Sequence, residues 1–174
     1  MTDALSFHHL ILGGARSGKS AFAEREALAT PNADRFIYIA TGQALDGAMA
    51  ERIAHHRAHR DVRWRTVEAP LELAAAIAAH DRPRTAILVD CLTLWLANAQ
   101  AADAWPAERD ALLEIIPTST ARLVFVSNEV GSGIVPLGEL SRTFVDEAGR
   151  LHQALASLCT RVSLVVAGLP LSLK

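Results

Sequence analysis

Residues 8–20 read HHLILGGARSGKS, and the architecture of the 174-residue chain follows from this stretch. HHLIL (8–12) is a short apolar strand candidate, Gly13 and Gly14 interrupt it, and a helical pattern runs from Lys19 to Ala29. The residues Gly13, Gly14, Ala15, Arg16, Ser17, Gly18, Lys19 and Ser20 satisfy G-x-x-x-x-G-K-[ST], the P-loop pattern. Its glycines let successive N–H groups turn inward as an anion nest at the positive end of a helix. Lys19 is placed to reach the outer phosphates of a nucleoside triphosphate, and Ser20 to offer its hydroxyl to Mg²⁺. So short a pattern also fits a Gly-rich turn with an incidental lysine. The strand directly before it and the helix directly after it select the phosphate-binding reading.

Apolar runs alternate with helix-like segments through the rest of the chain. Strands are expected at 35–40 (RFIYIA), 62–67 (VRWRTV), 85–89 (TAILV), 122–127 (RLVFVS) and 161–167 (RVSLVVA). TAILV is apolar almost throughout, the mark of a strand covered on both faces. One helix is expected from an N-cap at Asp46 through Met49, Ile53 and His56, and another at 71–79 with Pro70 in its first turn. Further helices are expected at 92–100, 106–116 and 138–157. The alternation implies right-handed crossovers and an α/β, P-loop NTPase-like fold, its sheet mostly parallel with helices on both faces. No repeat, low-complexity tract or linker divides the chain, so it reads as one domain over 1–174.

Hydrophobic residues make up 51% and charged residues 21%, a globular composition, and a formal charge of −2 gives no overall attraction to nucleic acid or anionic lipid. No secretory signal is expected at 1–7, and the greasiest stretch, 85–99, contains Asp90 and is too short to span a bilayer. Cys91 and Cys159 read as small core residues in a reducing, cytoplasmic setting.

A P-loop is served by an acid at the end of a neighbouring strand that holds the water shell of the metal. Asp90 ends TAILVD and fits that role; it also fits an ordinary N-cap for the following helix. The metal role is preferred because the best buried strand points at it. Residues 51–60 (ERIAHHRAHR) admit several readings. His55 and His59 at i and i+4 could share a metal, although no third ligand stands at suitable spacing. The basic run could meet nucleic acid, with Trp64 alone nearby for stacking, or form a solvated helix face. It could also be catalytic: a neutral imidazole attacks phosphorus, and Arg52 and Arg60 flank His56 on one helix face. Asn128, Glu129 and Gly131 follow a buried strand at its C-terminal end, where open sheets place ligands. Glu129 suits either an acceptor- or metal-organising acid or a loop cap.

GGARSGKS (13–20), YIATGQALDGAMAERIAHHR (38–57), WRTVE (64–68) and SNEVGSGIVP (127–136) stand in one order along nearly the whole chain. Together they resemble the bifunctional adenosylcobinamide kinase / adenosylcobinamide-phosphate guanylyltransferase family of cobalamin biosynthesis. The resemblance implies phosphorylation of adenosylcobinamide by ATP or GTP, then transfer of GMP from GTP to adenosylcobinamide phosphate through a GMP-histidine intermediate. The modified histidine falls on His56. Nucleotide contacts carry over to Gly13 through Ser20, to Ala40, Thr41 and Gly42, to Arg57, Ala58, His59 and Arg60, and to Glu68 and Asp90. Mg²⁺ would be held by Ser20 and Asp90, partly through water. The resemblance further implies a homo-oligomer, a trimer whose subunits complete one another's sites, with no nucleic-acid partner. The alternative from another reading of the residues is a P-loop small-molecule kinase without guanylyl transfer.

Overall fold

Alternate side chains of the central strands point to opposite faces, and here both sets are apolar, so both faces must be covered. The computed structural model of the protein describes residues 7–43, 47, 51 and 60–174. Gly47 and Glu51 are helical; the rest of the helix expected from Asp46 through His56, with the His55/His59 pairing, lies outside the described residues. Strands β1 (His9–Gly13), β2 (Arg35–Ala40), β3 (Trp64–Glu68), β4 (Thr85–Asp90), β5 (Arg122–Asn128), β6 (Arg161–Val166) and β7 (Leu169–Ser172) form one sheet in the order β3-β2-β4-β5-β1-β6-β7. All neighbours run parallel except β6 and β7.

Leu10, Ile39, Ile87, Val89, Leu123 and Phe125 face one side of the sheet. There they meet α2 (Leu73–His80), α3 (Leu92–Ala101), α4 (Trp105–Ile115) and α5 (Glu139–Leu158). Each helix buries a stripe at helical spacing, such as Leu73 and Ile77, or Ala148, Leu151 and Leu155. Ile11, Tyr38, Ala86, Leu88, Val124 and Val126 face the other side and are covered by Phe22, Ala23 and Ala27 of α1 (Lys19–Leu28). Cys91 and Cys159 are buried thiols, and burial pushes that of Cys159 up to about 12. No helix among the described residues is long and apolar enough to cross a membrane.

Three expectations about element ends are corrected. β3 starts at Trp64 rather than residue 62, because Asp61 accepts hydrogen bonds from the backbone N–H and guanidinium of Arg63 and holds the chain in a turn. α2 starts at Leu73, so Pro70 precedes the helix instead of occupying its first turn; Glu72 sits at φ 51°. The cause is tertiary: the Glu108 carboxylate of α4 accepts the N–H groups of Glu72 (3.1 Å) and Leu73 (3.4 Å). Finally, the strand series does not close at residue 167. Ala167 (φ 51°) and Gly168 (φ 80°) make a two-residue turn into β7, which carries Pro170 at the sheet edge where a missing donor is tolerated.

Glu108 also accepts the indole N–H of the buried Trp95 at 3.1 Å, so one carboxylate satisfies three donors on two other helices. Glu108→Ala is expected to destabilise the fold by about 2 kcal/mol by orphaning them, measured as a lowered urea midpoint at unchanged slope.

Buried imidazoles link stability to pH. His8 Nε2 pairs with the Ile116 carbonyl (3.0 Å) while its Nδ1 accepts the Leu123 N–H (3.2 Å), an arrangement only the neutral ring satisfies. Burial lowers the pKa of His8, that of His152, and most of all that of His9, which falls to about 4 from the ordinary 6.5, with Arg161 adding to the effect. Between those two values the unfolded chain binds more protons than the folded one, so stability falls as pH drops from about 6.5 toward 4. His9→Gln should flatten this slope in denaturant titrations at stepped pH, by on the order of 2 kcal/mol across the window.

Candidate nucleotide-binding site

β1 ends at Gly13, and the chain turns into α1 through Gly18, its N-cap, at φ 90°. A Cβ on Gly13 would lie 2.5 Å from Ser17 Oγ and 2.7 Å from the Val165 carbonyl oxygen. A Cβ on Gly18 would lie 3.1 Å from Cα of Gly168, whose N–H donates to the Ser17 carbonyl at 2.8 Å. The β6–β7 turn therefore braces the phosphate loop, and only glycine permits the contact. On the other flank, the Gly13 carbonyl accepts the Glu129 N–H at 3.0 Å. Lys19 is buried, and its ammonium donates back across the loop to the Gly14 carbonyl at 3.0 Å. An incidental lysine would sit in solvent; this one is held over the glycine turn. Arg16, at φ 55°, and Gly14 are exposed at the mouth, and Ser20 is half-buried in the first turn of α1.

Strand register aligns the other predicted positions. Ala40 pairs with Glu68 on one side and Asp90 on the other, so the ends of β3, β2 and β4 form one row at the C-terminal edge of the sheet. β4 is not beside β1, as the expected acid on a neighbouring strand would require: β5 lies between them and sets Asn128 level with Gly13. Asp90 shares the α1 face of β4 with Ala86 and Leu88, and the Lys19 charge is close enough to act on the adjoining Cys91 thiol. Asp90 does not cap α3, because Cys91 occupies the N-cap position; Asp90 Oδ2 instead accepts the hydroxyl of Tyr38 at 2.8 Å. The hydroxyl of Ser20 and the carboxylate of Asp90 are hard oxygen donors, few in number. Such a set suits Mg²⁺, which keeps several of its waters.

Thr41 is buried, and its hydroxyl donates to the Cys91 carbonyl (2.7 Å) while accepting the Cys91 N–H (2.9 Å). The Asn98 amide donates to the carbonyls of Thr41 (2.9 Å) and Pro70 (3.1 Å). The exit of β2 is thereby tied to the ends of both neighbouring strands, and Gly42 continues the chain half-buried from that fixed point. At the β3 edge, Arg60, Asp61, Trp64, Thr66 and Glu68 line a cavity of about 500 Å³. Trp64 is itself buried, edge-on to Phe36 and Tyr38, and so is not an exposed stacking platform. Glu129 caps its own loop, accepting the N–H groups of Gly131 (2.8 Å) and Ser132 (3.2 Å). His56, Arg57, Ala58 and His59 lie outside the described residues. Tyr38, Asn98 and Gly168 escaped the sequence reading. Only the tyrosine left a trace there, as a hydroxyl in an otherwise apolar strand.

Residues 9–173 match the family described as cobinamide kinase / cobinamide phosphate guanyltransferase. The chain is 55% identical over 168 residues to the bifunctional adenosylcobalamin biosynthesis protein CobP of Pseudomonas aeruginosa, covering 95% of this chain and 96% of that one. It is 40% identical over 181 residues to the bifunctional adenosylcobalamin biosynthesis protein CobU of Escherichia coli, covering 95% and 98%. Among solved structures, a prototypical ATPase of the type III secretion system of pathogenic bacteria superposes with TM-score 0.58 at 10% identity, over 97% of this chain and 57% of that one. That likeness supports the α/β P-loop fold, whereas the sequence relatives reach further: the chain belongs to the cobinamide kinase / cobinamide phosphate guanyltransferase family.

Proposed function

We propose that the enzyme phosphorylates adenosylcobinamide with ATP or GTP and then transfers GMP from GTP to adenosylcobinamide phosphate through His56, giving adenosylcobinamide-GDP. The observation that carries this reading is the end-to-end match to bifunctional relatives by a chain whose phosphate loop is built with its lysine buried over it.

In the first reaction the acceptor hydroxyl oxygen bonds to the γ-phosphorus, the bond from that phosphorus to the β-bridging oxygen breaks, and the hydroxyl proton departs. In the second, a neutral His56 nitrogen bonds to the α-phosphorus of GTP and pyrophosphate leaves. A phosphate oxygen of the acceptor then displaces the imidazole. The N–H groups of residues 13–20 and the Lys19 ammonium hold the phosphate oxygens. Arg52 and Arg60 offset charge around the histidine, with Arg57, Ala58, His59, Glu68 and residues 40–42 as further nucleotide contacts. Ser20 and Asp90 would hold Mg²⁺, which would supply charge neutralisation on the phosphates. The work takes place in the cytoplasm, on a single domain spanning 1–174.

Incubation with GTP in the absence of acceptor is expected to add the mass of one GMP to the intact protein, as an acid-labile adduct. His56→Ala should lose the adduct while keeping phosphorylation of adenosylcobinamide. A wild type that phosphorylates the corrinoid yet never forms the adduct would reduce the enzyme to a simple kinase.

We further read the protein as a homotrimer. Ile134, Val135, Leu137 and Leu140 stand exposed in the run leading into α5, an apolar stretch that self-association would cover. Light scattering should return three times the 18.7 kDa chain mass, and Leu137→Asp should lower it.

A further inference from the structure

We propose that Tyr38 is a positioning residue that joins the acid serving the metal to the segment carrying His56, an inference that rests on the functional reading above. Tyr38 pairs with Leu88, two residues before Asp90 on the same face of the sheet. The phenol spans that rise of about 6.6 Å and places its hydroxyl 2.8 Å from Asp90 Oδ2. The ring is buried, with Trp64 set edge-on at 5.7 Å. One of its faces is turned to a cation: the Arg60 guanidinium carbon lies 3.6 Å from the ring centroid, and Arg60 Nη1 donates to Thr66 Oγ1 at 3.1 Å. Arg60 is the first described residue after 52–59, the stretch containing His56.

A core position asks only for a ring at this place. Phenylalanine would fill the space between α1 and the strands equally well and would bring no hydroxyl to satisfy in the interior. The hydroxyl instead donates to the one carboxylate that ends β4, engaging Oδ2 of Asp90. The ring face meanwhile receives the guanidinium 3.6 Å from its centroid, a cation–π contact that an aliphatic side chain cannot supply. Glu24 of α1 lies within electrostatic range of both Arg60 and Asp90, so the pair is embedded in a field that a displaced arginine would unbalance. Tyr38 thereby holds two groups in register: Asp90, at the end of β4, and Arg60, the residue that follows the stretch containing His56.

Two substitutions separate the roles. Tyr38→Phe keeps the ring and removes the hydroxyl; Tyr38→Met removes both while filling much of the space. Mn²⁺ binding in the presence of GTP, read by the loss of the free-ion EPR signal, should weaken about five-fold in both variants. At saturating Mg²⁺, Tyr38→Phe should form the GMP adduct within about two-fold of the wild-type rate, and Tyr38→Met at least about ten-fold more slowly. Wild-type Mn²⁺ affinity in Tyr38→Phe, or a wild-type adduct rate in a folded Tyr38→Met, overturns the proposal. The phenylalanine variant alone decides the part played by the hydroxyl. A wild type that forms no adduct overturns the histidine chemistry and with it the Arg60 half of the proposal, while the Mn²⁺ measurement still decides the Asp90 half.

Discussion

No side chain fits at Gly13, and from that exclusion the phosphate loop takes its form. The end of β1 is pressed between Ser17 of its own turn and the Val165 carbonyl of β6, while Gly18 is pressed against Gly168 in the β6–β7 turn. Backbone meeting backbone at these distances leaves the loop few conformations. A rigid loop aims its N–H groups without paying an ordering entropy when phosphate arrives. Lys19, buried at the root of α1, is carried into place by the same packing.

The sheet order distributes the remaining chemistry. With β5 inserted between β1 and β4, the loop and Asp90 lie on either side of a strand whose last residue, Asn128, donates to Thr93 Oγ1 at 2.7 Å. Asp90, Ala40 and Glu68 continue the same edge outward in one row. The residues to which the proposed function assigns nucleotide contacts on β2, β3 and β4 therefore share one edge of the sheet.

Much of this was legible in the sequence because the signals are local. TAILVD and RLVFVS announce buried parallel strands, and a glycine doublet between a strand and a helix, completed by Gly18-Lys19-Ser20, announces the loop. The late start of β3 has a local cause, the turn that Asp61 makes with Arg63; the other misreadings have long-range causes. Pro70 was placed inside α2 because nothing near it reveals that Glu108, far along the chain, claims the N–H groups of Glu72 and Leu73. β7 was missed because LPLS is short and contains proline, and only pairing with β6 makes it a strand. Asp90 was assigned to a strand neighbouring the loop because strand order is a property of the whole sheet. Nothing local in the sequence assigns a role to Tyr38 or Asn98; their partners are 52 and 57 residues distant.

The brace supplied by Val165 and Gly168 has a bearing on how the protein is made. The phosphate-binding motif emerges from the ribosome well before β5 and β6, the strands that flank β1, and before the turn that presses on Gly18. Contacts of such wide sequence separation form late in folding. A nascent chain therefore displays the glycine doublet long before it has a cradle, which is complete only once β6 and the turn after it have been made.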